Sequence, residues 1–493
     1  MGLVRQLLQR LPSKKTLDEI AQYHRLSPRL AFLRRRIRLK GSSTITMPLG
    51  MVLLFPFTIV MLLLVLFVRH PNSPGRMLMP SSGPPAIRRI SEKYDKVFAT
   101  GCLEPKTDGP RENAVIVVLA RNKELPGVLQ SLRHMERHFN RWFHYPYVFL
   151  NDGEFNDEFK NTVLNYTTSK VEFGQIDPLH WGFPDWADVD EVEEAIAKQG
   201  DQAIMYGGMA SYHHMCRFYS GQFWKHELLL KYEWYWRLEP DIEFFCDMTY
   251  DPFVEMRKNN KTYGFTIAVK ELRETVPNLF RYVSAYKRNN NITSKGMWEM
   301  FAEKREKKED QDTLPEDVLK LEPGRGKFPE VDPTAMEGED YNMCHFWSNF
   351  EIARFDFYRS KQYTDFFETL DRSGGFWTER WGDAPVHSLA AGVFLGPADL
   401  HYFRDIGYRH TTIQHCPANA PAKQLPRTPF KEPYLEDQKK AKEDDEYWDN
   451  WDAVQENGVG CRCKCDTDIT DIEDKKGSCL SEWVKVAGGF TSP

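Results

Sequence analysis

The sequence has no internal repeat, no C-x₂-C pair and little positive charge in excess beyond its first forty-six residues. The missing repeat sets aside solenoids and propellers. Cys461, Cys463, Cys465 and Cys479 cluster near the C-terminus, but their C-x-C-x-C spacing lacks the usual pair of a structural zinc site, so disulfides are favoured and zinc is the rival. Residues 1–46 hold eleven Lys or Arg against Asp18 and Glu19, which puts +9 there; the whole chain carries −6, leaving −15 for the remainder. An acidic body does not read as a nucleic-acid binder.

Long apolar runs are also scarce. From Pro48 to Val68 the chain reads PLGMVLLFPFTIVMLLLVLFV, uncharged and long enough to cross a hydrocarbon layer of roughly 30 Å. A cleaved signal peptide would begin nearer the terminus and be shorter. The flanking Arg34, Arg35, Arg36, Arg38 and Lys40 place residues 1–47 in the cytoplasm, as a basic tail. The expected order is therefore tail, a single transmembrane signal anchor over 48–68, a Pro/Ser/Gly-rich stem over 69–110, and a lumenal domain over 111–493. The nine cysteines suit that compartment, and their odd number leaves at least one thiol unpaired, intermolecular or buried. Asn165, Asn260 and Asn291 head N-x-T sequons that a lumenal domain would expose.

Within the body, apolar β-branched runs alternate with helical patterns. Ala114–Ala120 reads as a strand buried on both faces, and Leu125, Val128, Leu129, Leu132 and Met135 follow at helical spacing. Strands are expected at 147–150, 171–176, 235–238 and 263–269, and a long helix over 209–230. This alternation predicts an α/β sandwich around a mainly parallel sheet. A charged, Pro- and Gly-bearing insertion interrupts it at 302–335, before the aromatic block CHFWSNFEIARFDFY at 344–358 resumes core-like sequence.

Ligands of open α/β sheets collect beyond the carboxyl ends of the strands. Arg121 follows the first strand there, either as a surface arginine or as a contact for a phosphate or base. Glu239-Pro240-Asp241 breaks a strand on a stiff turn, so its carboxylates are either solvated or held for a divalent cation. Tyr212 and Arg217, on the long helix, could both donate to phosphate oxygens. Glu351, inside an aromatic run, is either ion-paired in the core or used in a cavity. Asp383 in WGDAPVH and His410 in GYRH bring an acid and an imidazole from later turns.

Taken together, LARNKEL at 119–125, YPYVFLND at 145–152, SYHHMCRFYSGQFW at 211–224, YWRLEPDIEFFCDMTYDPF at 235–253, CHFWSNFEI at 344–352, ERWGDAPVHSLAAG at 379–392 and RDIGYRH at 404–410 resemble the fungal Golgi α-1,2-mannosyltransferases of glycosyltransferase family 15. The resemblance implies a GT-A-like nucleotide-sugar-binding fold, GDP-mannose as donor, Mn²⁺ as cofactor and retention of anomeric configuration. It implies Glu239 and His410 as metal ligands, with Tyr212 on phosphate and Arg121 on the nucleotide. Glu351 falls at the glutamate proposed as nucleophile, and Asp383 in the other acidic signature. It also implies glycoprotein mannosides as acceptors and a type II Golgi membrane protein. Two other readings remain: a lumenal glycosidase using Glu351 and Asp383 as its acid pair, and a silent scaffold or lectin of the same fold. Glu351 could also stabilise a cationic sugar during front-face attack.

Overall fold

A computed structural model describes residues 36–38, 46–48, 89–304, 338–427, 429–433 and 438–491. The chain divides into two compact units, 1–86 and 87–493. In the first, the described residues form one antiparallel ribbon, Arg36–Arg38 with Thr46–Pro48. The expected membrane span, 48–68, lies outside the described residues except for Pro48, as does most of the basic tail. Among the described residues no helix is long and apolar enough to cross a membrane.

The second unit is built on a seven-stranded sheet. Its strands are β1 (Ala114–Leu119), β2 (Tyr147–Asn151), β3 (Val171–Gln175), β4 (Trp234–Leu238), β6 (Tyr263–Phe265), β7 (Phe350–Arg354) and β8 (Leu400–Tyr402). Their order is β8-β6-β7-β4-β1-β2-β3, with β7 alone antiparallel to its neighbours. A mainly parallel sheet needs both faces covered, and the side chains of β1 alternate between two cores. Val115 and Val117 enter one, Ala114, Ile116 and Val118 the other.

Helices α1 (Leu125–Met135), α2 (Asp157–Tyr166), α3 (Ala210–Gly221), α4 (Lys361–Arg372) and α5 (Asp383–Phe394) surround the sheet. The long helix expected over 209–230 stops at Gly221, where a Cβ would lie 2.2 Å from the Phe367 ring, and a 3-10 turn follows. The strand expected at 263–269 is two: β6, and Ala268–Lys270, which leaves the sheet to pair with Cys344–Phe346. A small antiparallel sheet joins β5 (Ile242–Phe244), β9 (Tyr408–His410) and β10 (Ile413–His415) in the order β10-β9-β5.

One segment differs from expectation. Residues 89–110 pack on the body instead of spacing it: Arg89–Ile90 pairs with Phe490–Thr491, Phe98 stacks on His401 at 3.7 Å, and buried Asp95 accepts from Tyr402 N–H and Trp483 Nε1. The insertion begins in an antiparallel ribbon, Ala302–Lys304 with Glu339–Tyr341; 305–337 lie outside the described residues. The Cys-rich tail is sewn into the body by Cys102–Cys461, Cys246–Cys463, Cys344–Cys479 and Cys416–Cys465, leaving Cys216 free and buried. Asn165, Asn260 and Asn291 are all exposed.

Candidate active site

Strands β1, β2 and β4 run parallel, so their carboxyl ends open on one side of the sheet. A cavity of about 270 Å³ lies there, lined by Arg121 after β1, Asn151 and Asp152 at the end of β2, and Glu239, Pro240 and Asp241 after β4. Helix α3 adds Tyr212, Met215 and Tyr219, and β9 adds His410. Arg121, Tyr212, Glu239 and His410, from four separate elements, thus meet at one cavity.

The Glu-Pro-Asp turn is clamped from α1. Ser131 Oγ donates to the Glu239 carbonyl at 2.6 Å and accepts from Ile242 N–H at 3.1 Å. Asp241, at φ 60°, donates its N–H to the Gly127 carbonyl at 3.0 Å. A Cβ on Gly127 would stand 2.6 Å from the carboxylate of Asp241, so a larger residue there would displace that exposed side chain from its place on the cavity wall.

Arg237 joins the turn to the sheet floor. Its Nε donates to Glu239 Oε1 at 2.5 Å, its Nη1 reaches Asp383 Oδ2, and its guanidinium lies 3.6 Å from the Tyr219 ring centre. Burial opposes its charge, but Asp383 and Glu239 hold its pKa well above the usual arginine value. Asp383, at the first turn of α5, also accepts from Ser348 Oγ at 2.7 Å. Burial raises its pKa and Arg237, with His387, brings it below the ordinary carboxylate value.

Glu351 lies opposite Arg237 in the β7–β4 ladder, fully buried and away from the cavity lining. Tyr235 donates to Oε1; Tyr263, at 2.6 Å, donates to Oε2, and His387 Nδ1 lies 2.9 Å from the same oxygen. His387 Nε2 meets the Tyr219 carbonyl at 3.0 Å. Nε2 thus faces a carbonyl and Nδ1 a carboxylate, with the Tyr358 hydroxyl 3.3 Å from Nδ1 as well. Against the cost of burial, each partner stabilises the other's charge: Glu351 is held below and His387 above its ordinary value.

Arg217 does not join the cavity. It follows Tyr212 by five residues, about 140° around the helix, and so points elsewhere. Its Nε and Nη2 bond Asp371 of α4 at 2.7 and 2.8 Å in a buried bidentate pair that lines a separate cavity of about 530 Å³. The phosphate contact suggested by sequence is replaced by a carboxylate of the chain itself.

The residues present fit a hard or borderline divalent cation. Arg237 holds one oxygen of Glu239, which remains partly exposed at the cavity. Burial pushes the His410 pKa down, opposed by Glu239 and assisted by Arg237, which favours the neutral imidazole that a cation needs. The Asn349 side-chain amide lies 3.0 Å from its Nδ1, and with the amide oxygen accepting from Nδ1–H the other nitrogen, Nε2, is the ligating one. One carboxylate and one imidazole, completed by oxygens, suit Mn²⁺. Two lining residues also carry buried polar atoms without a partner, Asn151 Oδ1 and the Tyr219 hydroxyl. Sequence reasoning passed over Arg237, although a cation inside the run WYWRL signals a buried ion pair; Ser348 and Tyr219 gave no such sign.

The sequence model of the family described as glycolipid 2-alpha-mannosyltransferase matches residues 89–425. The chain belongs to this family. It is 47% identical to the O-glycoside alpha-1,2-mannosyltransferase homolog 4 of Schizosaccharomyces pombe over 88% of its own length and 92% of the relative. Among solved structures it resembles the mannosyltransferase Ktr4p of S. cerevisiae in complex with GDP (TM-score 0.54, 36% identity, covering 66% of this chain and 80% of that one). It likewise resembles core-mannan synthase A of Aspergillus fumigatus in its Mn/GDP form (TM-score 0.55, 35% identity, covering 74% and 90%). The mixed, mostly parallel sheet agrees with a GT-A-like fold.

Proposed function

We infer that the cavity binds GDP-mannose and that the protein transfers mannose from it, with retention, to mannose-terminated glycans in α-1,2 linkage. The observation that carries this reading is the convergence of Glu239 and His410, from different sheets, on a cavity at the parallel strand ends. Arg121 supplies a cation at the β1 end and Tyr212 a hydroxyl from α3. Asn151 Oδ1 would accept from a guanine N–H, and the Tyr219 hydroxyl would bond a donor oxygen, each relieving a buried unpaired group. Mn²⁺ held by Glu239 and His410 would neutralise the departing diphosphate, the term that usually dominates such catalysis.

Double displacement needs a carboxylate oxygen beneath the anomeric carbon. Both oxygens of Glu351 are engaged, and the residue has no exposure. This supports front-face attack within an ion pair, with Glu351 and Asp383 stabilising the cationic sugar electrostatically. The glycosidase alternative requires a carboxyl with a raised pKa as general acid; Glu351 and Asp383 are both lowered.

Four disulfides and three exposed sequons support a lumenal body, anchored by residues 48–68 in the Golgi membrane with 1–47 cytoplasmic. The test uses residues 87–493 with GDP-mannose, Mn²⁺ and a panel of mannosides, followed by product linkage analysis. Glu239→Ala should retain the native melting profile and lose Mn²⁺-dependent transfer by about 10²–10³-fold. Full activity in that variant would remove the metal assignment, and a β-linked product would remove retention.

A further inference from the structure

The hairpin that carries His410 continues into a second cluster that sugar transfer does not use. His415, the last residue of β10, is 3% exposed. Asp471 and Glu473 approach it from the tail, around the short turn Ile472–Asp474. One potential ligand atom from each of the three lies within 4.8 Å of the others.

His415 Nε2 is 3.1 Å from the Arg404 carbonyl, so it carries a hydrogen and Nδ1 is the nitrogen turned to the acids. Nδ1 lies 3.6 Å from Asp471 Oδ2 and 3.5 Å from Glu473 Oε1, and it is buried without a hydrogen-bond partner. These separations exceed an ordinary N–H···O bond. They match the edge between two ligands of one cation: bonds of roughly 2.0–2.2 Å at a tetrahedral angle separate ligand atoms by roughly 3.3–3.6 Å.

The surroundings are those of a metal ligand set. A ligating imidazole typically gives its other N–H to a carbonyl, and ligating carboxylates are themselves hydrogen-bonded. Here the Arg404 carbonyl takes the imidazole N–H. Asp471 Oδ2 accepts from Cys416 N–H at 2.6 Å, its Oδ1 from Glu473 N–H at 2.8 Å, and Glu473 Oε1 from the Tyr402 hydroxyl.

We infer that His415, Asp471 and Glu473 form a second divalent-cation site, structural in role, for a borderline ion of the Zn²⁺ or Mn²⁺ type. An imidazole with two carboxylates suits such ions, whereas Ca²⁺ favours oxygen alone and more ligands. The site ties the tail to the hairpin five residues beyond His410, beside the Cys416–Cys465 bridge.

The test uses residues 87–493 carrying Glu239→Ala, which removes the proposed catalytic ligand, after stripping with chelator. Zn²⁺ and Mn²⁺ are titrated calorimetrically, with bound metal counted by mass spectrometry and the melt recorded. One equivalent should bind and raise the Tm. Adding Asp471→Asn and Glu473→Gln should abolish that equivalent and the Tm shift while a cooperative melt remains; Asp471→Asn alone should weaken both if the double change unfolds the chain. No bound cation and an unmoved melt at millimolar Zn²⁺ and Mn²⁺ overturns the inference, as does an equivalent that persists in the substituted proteins.

Discussion

Arg217 and Arg237 are both buried guanidiniums with carboxylate partners, yet only Arg237 touches the cavity wall through its partner, Glu239. Replacing Arg217 with Ala leaves Asp371 buried and uncompensated, a change that typically costs about 3–5 kcal/mol. The expected outcome is a large loss of Tm with the KM for GDP-mannose unchanged in the protein that remains folded; steady-state kinetics below the melting range check this. A second residue-scale prediction concerns His387, which faces Glu351, with Asp383, Tyr358 and Tyr363 around it. Its raised imidazole contributes stability that is fully present below the unfolded value, about 6.5, and lost as pH rises through the folded one. The lowered Glu351 contributes stability that is present above about 4.3 and lost as pH falls through its folded value. Stability should therefore reach a plateau between these limits. In a Tm–pH series, His387→Gln should lower the plateau and flatten the alkaline slope that the wild-type pair produces.

The elements that build the site differ in how far the sequence revealed them. The AVIVVLA run, the Glu-Pro-Asp break and the helix between them follow from local rules: β-branched apolar residues for a buried strand, proline to end its ladder, apolar spacing for α1. The pairing of Glu351 with Arg237 does not, because it depends on the register between strands more than a hundred residues apart. The four bridges were equally hidden, since a cysteine count gives no connectivity. Two of them, Cys246–Cys463 and Cys416–Cys465, bracket the small sheet carrying His410, which explains why a tail so far along the chain bears on the site. The contact between α1 and the Glu-Pro-Asp turn gives an element-scale prediction. Gly127→Ala suits the helix by propensity, gaining up to about 1 kcal/mol, but its Cβ collides with the Asp241 carboxylate. The carboxylate must swing away from the cavity wall, so Mn²⁺-dependent GDP binding should weaken while the far-ultraviolet circular dichroism stays native. Calorimetric titration of GDP with and without Mn²⁺ separates the two effects.

At the scale of the whole molecule, composition misled at the start of the body. Residues 70–89 are rich in Pro, Ser and Gly, a composition that predicts a stem, and the expected stem of 69–110 runs past them. The contacts that hold 89–110 are single residues meeting distant partners, which no local pattern displays: Asp95 with Tyr402 and Trp483, Phe98 with His401, Cys102 with Cys461. A chain beginning at residue 111 loses all of them. The missing bridge, which spans 359 residues, should cost about 2–5 kcal/mol, and the Trp483 N–H left buried without its acceptor about 1–3 kcal/mol more. Those losses are comparable with the roughly 5–15 kcal/mol that stabilises an ordinary folded protein. Residues 111–493 should therefore be recovered aggregated or with a broad, early melt, whereas 87–493 should melt cooperatively and bind GDP with Mn²⁺. Parallel expression and thermal denaturation of the two proteins decides the matter, since similar Tm values would mean that residues 89–110 are only a tether.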